Sequence, residues 1–318
     1  MLTSEKLESR RLFAADPIHV GVVYIETDYL ESDQDVGSDS RGDRFILSFT
    51  GGAAGTELNE LRIRTDKDND GISVGDLIYD TEQGGRGKNG AHNFQIVRIL
   101  TADGHTVQAT AEVEDGGQEL VLRLSGFRAG DRLEFTIDVD EVLRNLPDLD
   151  QFNSRLDVIA SGQEFQDSIL EATFDAPHYE TSHADAVFLN DYGDPAKDHN
   201  LNLPPDEGTG ADSRPNRSAA AVATTGQIAK PISIAGQVWL DNNLNKTRDV
   251  GELPINGVNI SLFKWDEATN RYVDTGHHTT TDGDGQYVFP RALGLAPGRY
   301  RIVETQPAGL FSVGAIPG

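Results

Sequence analysis

The feature that most constrains this chain is a succession of short runs in which apolar and polar residues alternate, each closed by Gly, Asp or Asn, with no helical spacing between them. Val20 to Glu26, Phe45 to Phe49, Leu61 to Arg64, Phe94 to Leu100, Thr106 to Glu112, Glu119 to Leu124 and Arg132 to Val139 are such runs, rich in β-branched and aromatic residues. Runs of this length and composition are strands, and their regular spacing predicts an all-β fold, an antiparallel β-sandwich or jelly roll over residues 18–180. In Thr136-Ile137-Asp138-Val139-Asp140 the alternation puts Ile137 and Val139 toward the core and the acids outward. Phe152 to Ile159 and Ser168 to Phe174 would close the sheets, with one or two helical turns over Asp140 to Leu146. The 33 glycines supply the turns with positive φ that such a topology needs.

A chain of 318 residues has room for two domains, each with its own core. Between residues 181 and 230 the alternation fails: Asn190 to Pro195, Pro204 to Gly208 and Ser213 to Arg217 are turn-rich, and Ala219 to Thr225 is a tract of small residues. A linker or long excursion is expected there, although Asp185 to Leu189 has the character to pair with the first sandwich. A second module spans 231–318.

Composition removes several function classes. The formal charge of −25, from 52 acidic against 27 basic residues, opposes binding to nucleic acid or to an anionic membrane surface. There is no cysteine, so disulfides, thiolate metal sites and cysteine nucleophiles are excluded. No apolar run is long enough for a membrane span, and Met1 to Pro17 lacks the apolar centre of an ordinary secretory signal. A chain this acidic is stabilised by cations, which suits calcium and an extracellular setting.

Two stretches have the oxygen spacing of calcium loops. Asp241 to Glu252 places side-chain oxygens at its first, third, fifth, seventh, ninth and twelfth positions, through Asp241, Asn243, Asn245, Thr247, Asp249 and Glu252. A hard cation takes six to eight oxygens, and this series offers carboxylates, amide oxygens, a backbone carbonyl at Thr247 and a closing glutamate. The flanks, Ile234 to Leu240 and Val258 to Phe263, read as strands rather than as the helices of an EF-hand. Asp66, Asp68 and Asp70 open the other stretch, with Gly71 at the sixth position, but the last acid, Asp76, comes at the eleventh. Either this loop binds calcium, or it is an acidic hairpin turn with Asp76 pointing to solvent.

The second module also carries ordered motifs: Ile232 to Asp241, Leu253 to Leu262, Thr280 to Phe289, and Leu295 to Thr305. Together they resemble the SdrD B-like domain, a calcium-binding, Cna B-type module of bacterial surface adhesins. The resemblance implies a prealbumin-like β-sandwich, Ca2+ held by the Asp241 to Glu252 loop, and a spacer or adhesive role; the chain stops before the last strand such domains usually have. The sixth loop residue departs from the pattern, since Lys246 stands where Gly is usual, which costs backbone strain and sets a positive charge against the ion. Leu7 to Asp16 resembles the LEPR-x-L-L type motif at the start of surface and secreted proteins of planctomycetes and some other bacteria, with Ser9 and Phe13 departing from it.

Other constellations read as structure. Arg41-Gly42-Asp43 and Asn216-Arg217-Ser218 are chance matches to an integrin tripeptide and a glycosylation pattern. His178 to Asp185 has poor zinc spacing, Gly84 to Gly90 lacks the Gly-Lys-Ser/Thr and following helix of a phosphate loop and reads as a flexible hairpin tip, and Asp282 to Gly285 reads as a tight hairpin turn. The expectation is therefore a non-enzymatic extracellular or cell-surface bacterial protein with calcium-stiffened sandwiches, meeting matrix, cell-wall or glycan ligands. The alternatives are a carbohydrate-binding jelly roll of a larger secreted protein, and a hydrolase built on the His178 to Asp185 cluster.

Overall fold

The computed structural model describes residues 16–26, 42–88, 90–143, 156–157, 160–190, 201, 203–204, 214–224, 226–312 and 314. The chain divides into two compact units, with Ala14–Ile228 forming the first and Ala229–Gly318 lying in the second. Both are all-β.

The first unit holds β1 (His19–Ile25), β2 (Asp43–Thr50), β3 (Glu57–Arg64), β4 (Leu77–Asp80), β5 (Gln95–Leu100), β6 (Gln108–Val113), β7 (Glu119–Ser125), β8 (Arg132–Val142), β9 (Leu156–Asp157), β10 (Ile169–Asp175), β11 (Ser182–Val187) and β12 (Arg217–Ala223). One sheet runs β12-β1-β2-β8-β4, with β5 and β9 also paired to β8, and the other runs β11-β10-β3-β7-β6. All pairings are antiparallel. The inward alternation of both sheets builds a core that includes Tyr24, Phe45, Phe135, Phe165 and Phe174. Tyr24 stacks on Phe165 at 3.9 Å between centroids and Phe45 on Phe135 at 4.9 Å. Each ring so buried contributes about 1.5–3 kcal/mol.

The expected strands appear among the described residues, except that Phe152 to Ile159 is described only at β9 and the expected turn beyond Leu143 lies outside the described residues; three features differ. Residues 181–230 hold more than a linker: β11 pairs with β10, in line with the character of Asp185 to Leu189, and, against expectation, β12 pairs with β1 along its whole length, His19 opposite Ala223 to Ile25 opposite Arg217. The small residues Ala219 and Ala220 let that strand lie in a fully buried position. Helical turns do not start at Asp140, because β8 continues to Val142, held by β4 and β9. Asp138 and Asp140 point away from the core side, as alternation requires, yet both are buried. The 81–93 segment folds over them, with Asp138 N donating to His92 O at 3.0 Å and Lys88 N to Asp140 Oδ2 at 2.9 Å.

The second unit pairs β13 (Ile234–Gln237) with β16 (Gln286–Phe289), and β14 (Asn259–Asp266) with both β15 (Arg271–Thr280) and β17 (Tyr300–Glu304). Val258, Ile260, Leu262, Phe289 and Leu295 form its core. Asp282 to Gly285 does make a turn, with the Asp282 carboxylate accepting from Asp284 N and Gln286 N. It is not a hairpin, because β15 and β16 lie in different sheets. The N-terminal motif at Leu7 to Asp16 lies almost wholly outside the described residues. No helix among the described residues is long and apolar enough to cross a membrane.

Candidate metal centres

Residues 66–76 join β3 to β4, so this loop crosses from one sheet of the first sandwich to the other. Asp66, Asp68, Asp70 and Asp76 each bring one carboxylate oxygen within 4.8 Å of the others. Among the described residues this is the one group of three or more acidic or histidine side chains brought so close. Asp66 Oδ2 accepts from Gly71 N at 3.1 Å, which curls the backbone around the opening acid. Asp76 does not point to solvent: it is buried, and its oxygens accept from Lys67 N at 3.3 Å and Ser73 N at 2.8 Å. The hydrogen bond with Asp68, together with desolvation and repulsion from Asp68, Asp76 and Asp66, raises the Asp70 pKa above the usual carboxylate value. Lys67 Nζ donates to Gly75 O at 2.6 Å, and burial lowers its pKa although Asp76 and other acids oppose that shift.

Residues 241–252 make the equivalent crossing in the second sandwich, between β13 and β14. Leu240 N donates to Leu253 O at 2.8 Å, and Trp239 bridges to Pro254, so the two ends of the loop are clamped together. Asp241 Oδ2 accepts from Lys246 N at 2.7 Å, matching the bond from Gly71 to Asp66. Asn243 and Asn245 both reach Asp249 Oδ2, at 2.8 and 2.7 Å. Their oxygens accept from Asn245 N at 3.0 Å and Thr247 N at 2.7 Å, and each keeps a second lone pair for a cation. Glu252 closes the loop, its two oxygens accepting from Asn242 N at 2.9 Å and Asp249 N at 3.0 Å.

The two loops share one backbone plan. The fourth residue has positive φ in each, 61° at Asn69 and 61° at Leu244. So does the sixth, at 89° for Gly71 and 65° for Lys246, and so does the residue before the closing acid, at 92° for Gly75 and 96° for Gly251. In both, the closing carboxylate takes the N–H of the second residue on one oxygen and that of a later loop residue on the other. The first loop is shorter by one residue, and its closing side chain is shorter by one methylene. The oxygen chemistry of both loops fits a hard divalent cation such as calcium.

Other residues fall into structural roles. The backbone N–H groups of Thr81, Glu82 and Arg86 all point at the Asp115 carboxylate, at 3.0, 3.0 and 2.6 Å, so Thr81 to Arg86 cradles an internal anion where the glycine-rich stretch begins. It is not a hairpin tip, since β4 and β5 each pair with β8. His178 sits in an exposed turn at φ 66°, and His183 lies on β11 with Nδ1 3.2 Å from Thr173 Oγ1. The described residues do not gather them into a metal cluster. Asn216 is buried, so its glycosylation pattern is sealed, and Arg41 lies outside the described residues. The buried acids Asp43, Asp80, Asp138 and Asp140 were not legible as a group, because alternation alone marks such residues as solvent-facing.

A family model, the SdrD B-like domain, matches residues 232–315. The match falls within the second unit and supports the resemblance read from its ordered motifs. Among solved structures, the full-length major pilin SpaD from Corynebacterium diphtheriae is similar at 11% identity and a TM-score of 0.21, over 85% of this chain and 48% of the pilin. The chain thus spans about half the length of that pilin. No curated protein matches the chain.

Proposed function

We propose that this chain is a non-enzymatic structural or adhesion protein of the bacterial surface or exterior, whose two sandwiches are each stiffened by calcium in a sheet-to-sheet loop. The observation that carries the reading is the common plan of the two loops, which recurs in two units with different strand orders. Asp66, Asp68, Asp70 and Asp76 would hold one ion. Asp241, Asn243, Asn245, Asp249 and Glu252, with the backbone carbonyl of Thr247, would hold the other. The ion supplies positive charge among converging carboxylates and cross-links the loop. The chain supplies the rest: the buried closing acids fix the loop ends, and the clamp at Leu240 and Leu253 ties one loop to its sandwich.

Both loops are largely exposed, and Lys246 adds a positive charge to the second. Such sites bind in the range of extracellular calcium modules, on the order of 0.1–1 mM, so they fill outside the cell and stay empty in cytosol. The SdrD B-like match and the absence of cysteine are consistent with that setting. Calorimetric titration of chelator-stripped protein with calcium chloride tests the reading. Two ions per chain are expected, falling to one in the double variant Asp66→Ala, Asp68→Ala. No uptake at 10 mM calcium, a saturating level by about tenfold on that scale, would overturn it.

A further inference from the structure

The outward faces of β3, β10 and β11 enclose a groove of about 380 Å³, walled by Glu60, Arg64, Glu171, Thr173, His183 and Asp185. It lies on the face of the sheet opposite the core, and its volume falls within the range of small-ligand sites. Its polar groups are unequally engaged. Glu60 is bound to Arg62 at 3.0 Å and also to Arg123, and Glu171 lies 3.6 Å from Arg64 Nη2. Asp185 stands directly opposite Glu171 in the ladder, a like-charge juxtaposition, and has no hydrogen-bond or ion-pair partner among the described residues. Arg64 engages Asn69 Oδ1 through Nη1 at 3.3 Å and faces Glu171 through Nη2, which leaves further guanidinium N–H groups for an acceptor in the groove. His183 is exposed and spends Nδ1 on Thr173 Oγ1 at 3.2 Å, with Nε2 not engaged by any described residue.

A ligand that completes this groove must donate to Asp185 and accept from Arg64. A simple cation does only the first. An anion does only the second, and it would meet the carboxylates of Glu60, Glu171 and Asp185 in a chain of formal charge −25. A hydroxyl both donates and accepts, and neighbouring hydroxyls on a ring present the two functions side by side. Ile169, at the groove wall, offers an apolar surface for ring C–H groups. We propose that this groove binds a neutral saccharide. It holds no Trp, Tyr or Phe to stack on the sugar, so affinity rests on hydrogen bonds and is on the order of millimolar.

Affinity electrophoresis of the full chain in native gels cast with galactomannan, xyloglucan or a mixed-linkage glucan reads binding this weak. These polymers are uncharged, so retardation does not report on the protein's charge. Retardation by at least one is expected, with about a tenfold loss in Asp185→Ala and in His183→Ala, both exposed positions that leave the core untouched. Glu112→Gln, on β6 outside the groove, should be retarded by the same factor as the parent, each relative to its own mobility in a polymer-free gel. Free mobility in all three gels would overturn the proposal, as would retardation that survives both groove substitutions. Retention of a lysine-rich peptide in place of every polysaccharide would also overturn it, because it would make the groove a cation site.

Discussion

Glu252→Gln separates the structural role of the loop-closing acid from its role toward a metal. Glu252 is 8% exposed, and its two oxygens accept from Asn242 N and Asp249 N. The amide that replaces it keeps one acceptor and sets an NH2 group against the other backbone donor. Losing one charge-assisted hydrogen bond and leaving a donor facing a donor costs about 2 kcal/mol. For a unit of this size each kcal/mol moves the melting midpoint by about 4–8 °C, so the variant should melt about 8–16 °C lower in chelator. Calcium at about 100 times its Kd adds about 2.7 kcal/mol to the parent, a further rise of about 10–20 °C that the variant should largely lack. Both tryptophans, Trp239 and Trp265, lie in the second unit, so intrinsic tryptophan fluorescence follows its melting alone. A parent midpoint that ignores calcium would refute the metal role. An equal calcium shift in both proteins would show that Glu252 acts only as a hydrogen-bond acceptor.

Three further outcomes follow from the geometry. Phe165→Ala removes a ring that stacks on Tyr24 and meets Phe45 and Phe188 edge-on, and it should cost about 3–5 kcal/mol by urea unfolding followed by circular dichroism. Lys246→Gly should tighten calcium binding at the second loop roughly two- to tenfold by calorimetry, because it removes a positive charge from a loop whose backbone there already has φ 65°. His105 bonds Asp103 and Gly126 O and also contacts the buried Asp131 at 2.9 Å, and the Asp103 bond, followed by the Asp131 charge, raises its pKa against some desolvation, while Arg128 acts on Asp103. A raised folded-state pKa gives stability that is complete below about pH 6.5 and is lost as pH rises through the higher value. The deficit of His105→Gln in urea midpoint should therefore be largest near pH 5.5 and shrink toward pH 9, and a deficit constant with pH would sink that account.

The strand runs were legible because a sheet with one buried face imposes period two, and β2, β7 and β8 keep it over most of their length. The pattern failed where burial came from elsewhere. β12 is mostly alanine in its middle, with no alternation to read, and its strand character comes from β1 beside it. β1 in turn is buried on both faces, since Val23 and Ile25 pack with Ile46, Leu201, Leu203 and Ala219 on the side away from the main core. Gly21 shows how tight this is, because a Cβ there would lie 2.6 Å from Leu201 Cδ1. A stretch rich in turn residues thus contributes a small-residue strand and an apolar cover, and only the tertiary pairing reveals it. The buried acids of β8 failed for the same reason: the covering 81–93 segment is set by the Asp115 cradle, which has no local signature.

The two loops show what spacing can and cannot decide. Spacing singled out Asp241 to Glu252, whose side-chain oxygens the fold turns onto the loop's own N–H groups, but left Asp76 open, because an acid at the eleventh position has no place in a twelve-residue rule. Loop length and side-chain length change together here. Removing one residue before the closing acid brings its Cα nearer the loop centre, and aspartate in place of glutamate takes back about that reach, so the carboxylate still meets the N–H of the second residue. The left-handed positions support the same reading. Gly71 and Gly75 fill two of them in the first loop without strain, whereas Leu244 and Lys246 hold theirs in the second at a cost of about 1–2 kcal/mol each. A plain turn would escape that cost by relaxing. A loop that keeps the conformation with side chains so poorly suited to it is held by the N–H groups that donate to Asp241, Asn243, Asn245 and Glu252, and the cation proposed above would add to that hold.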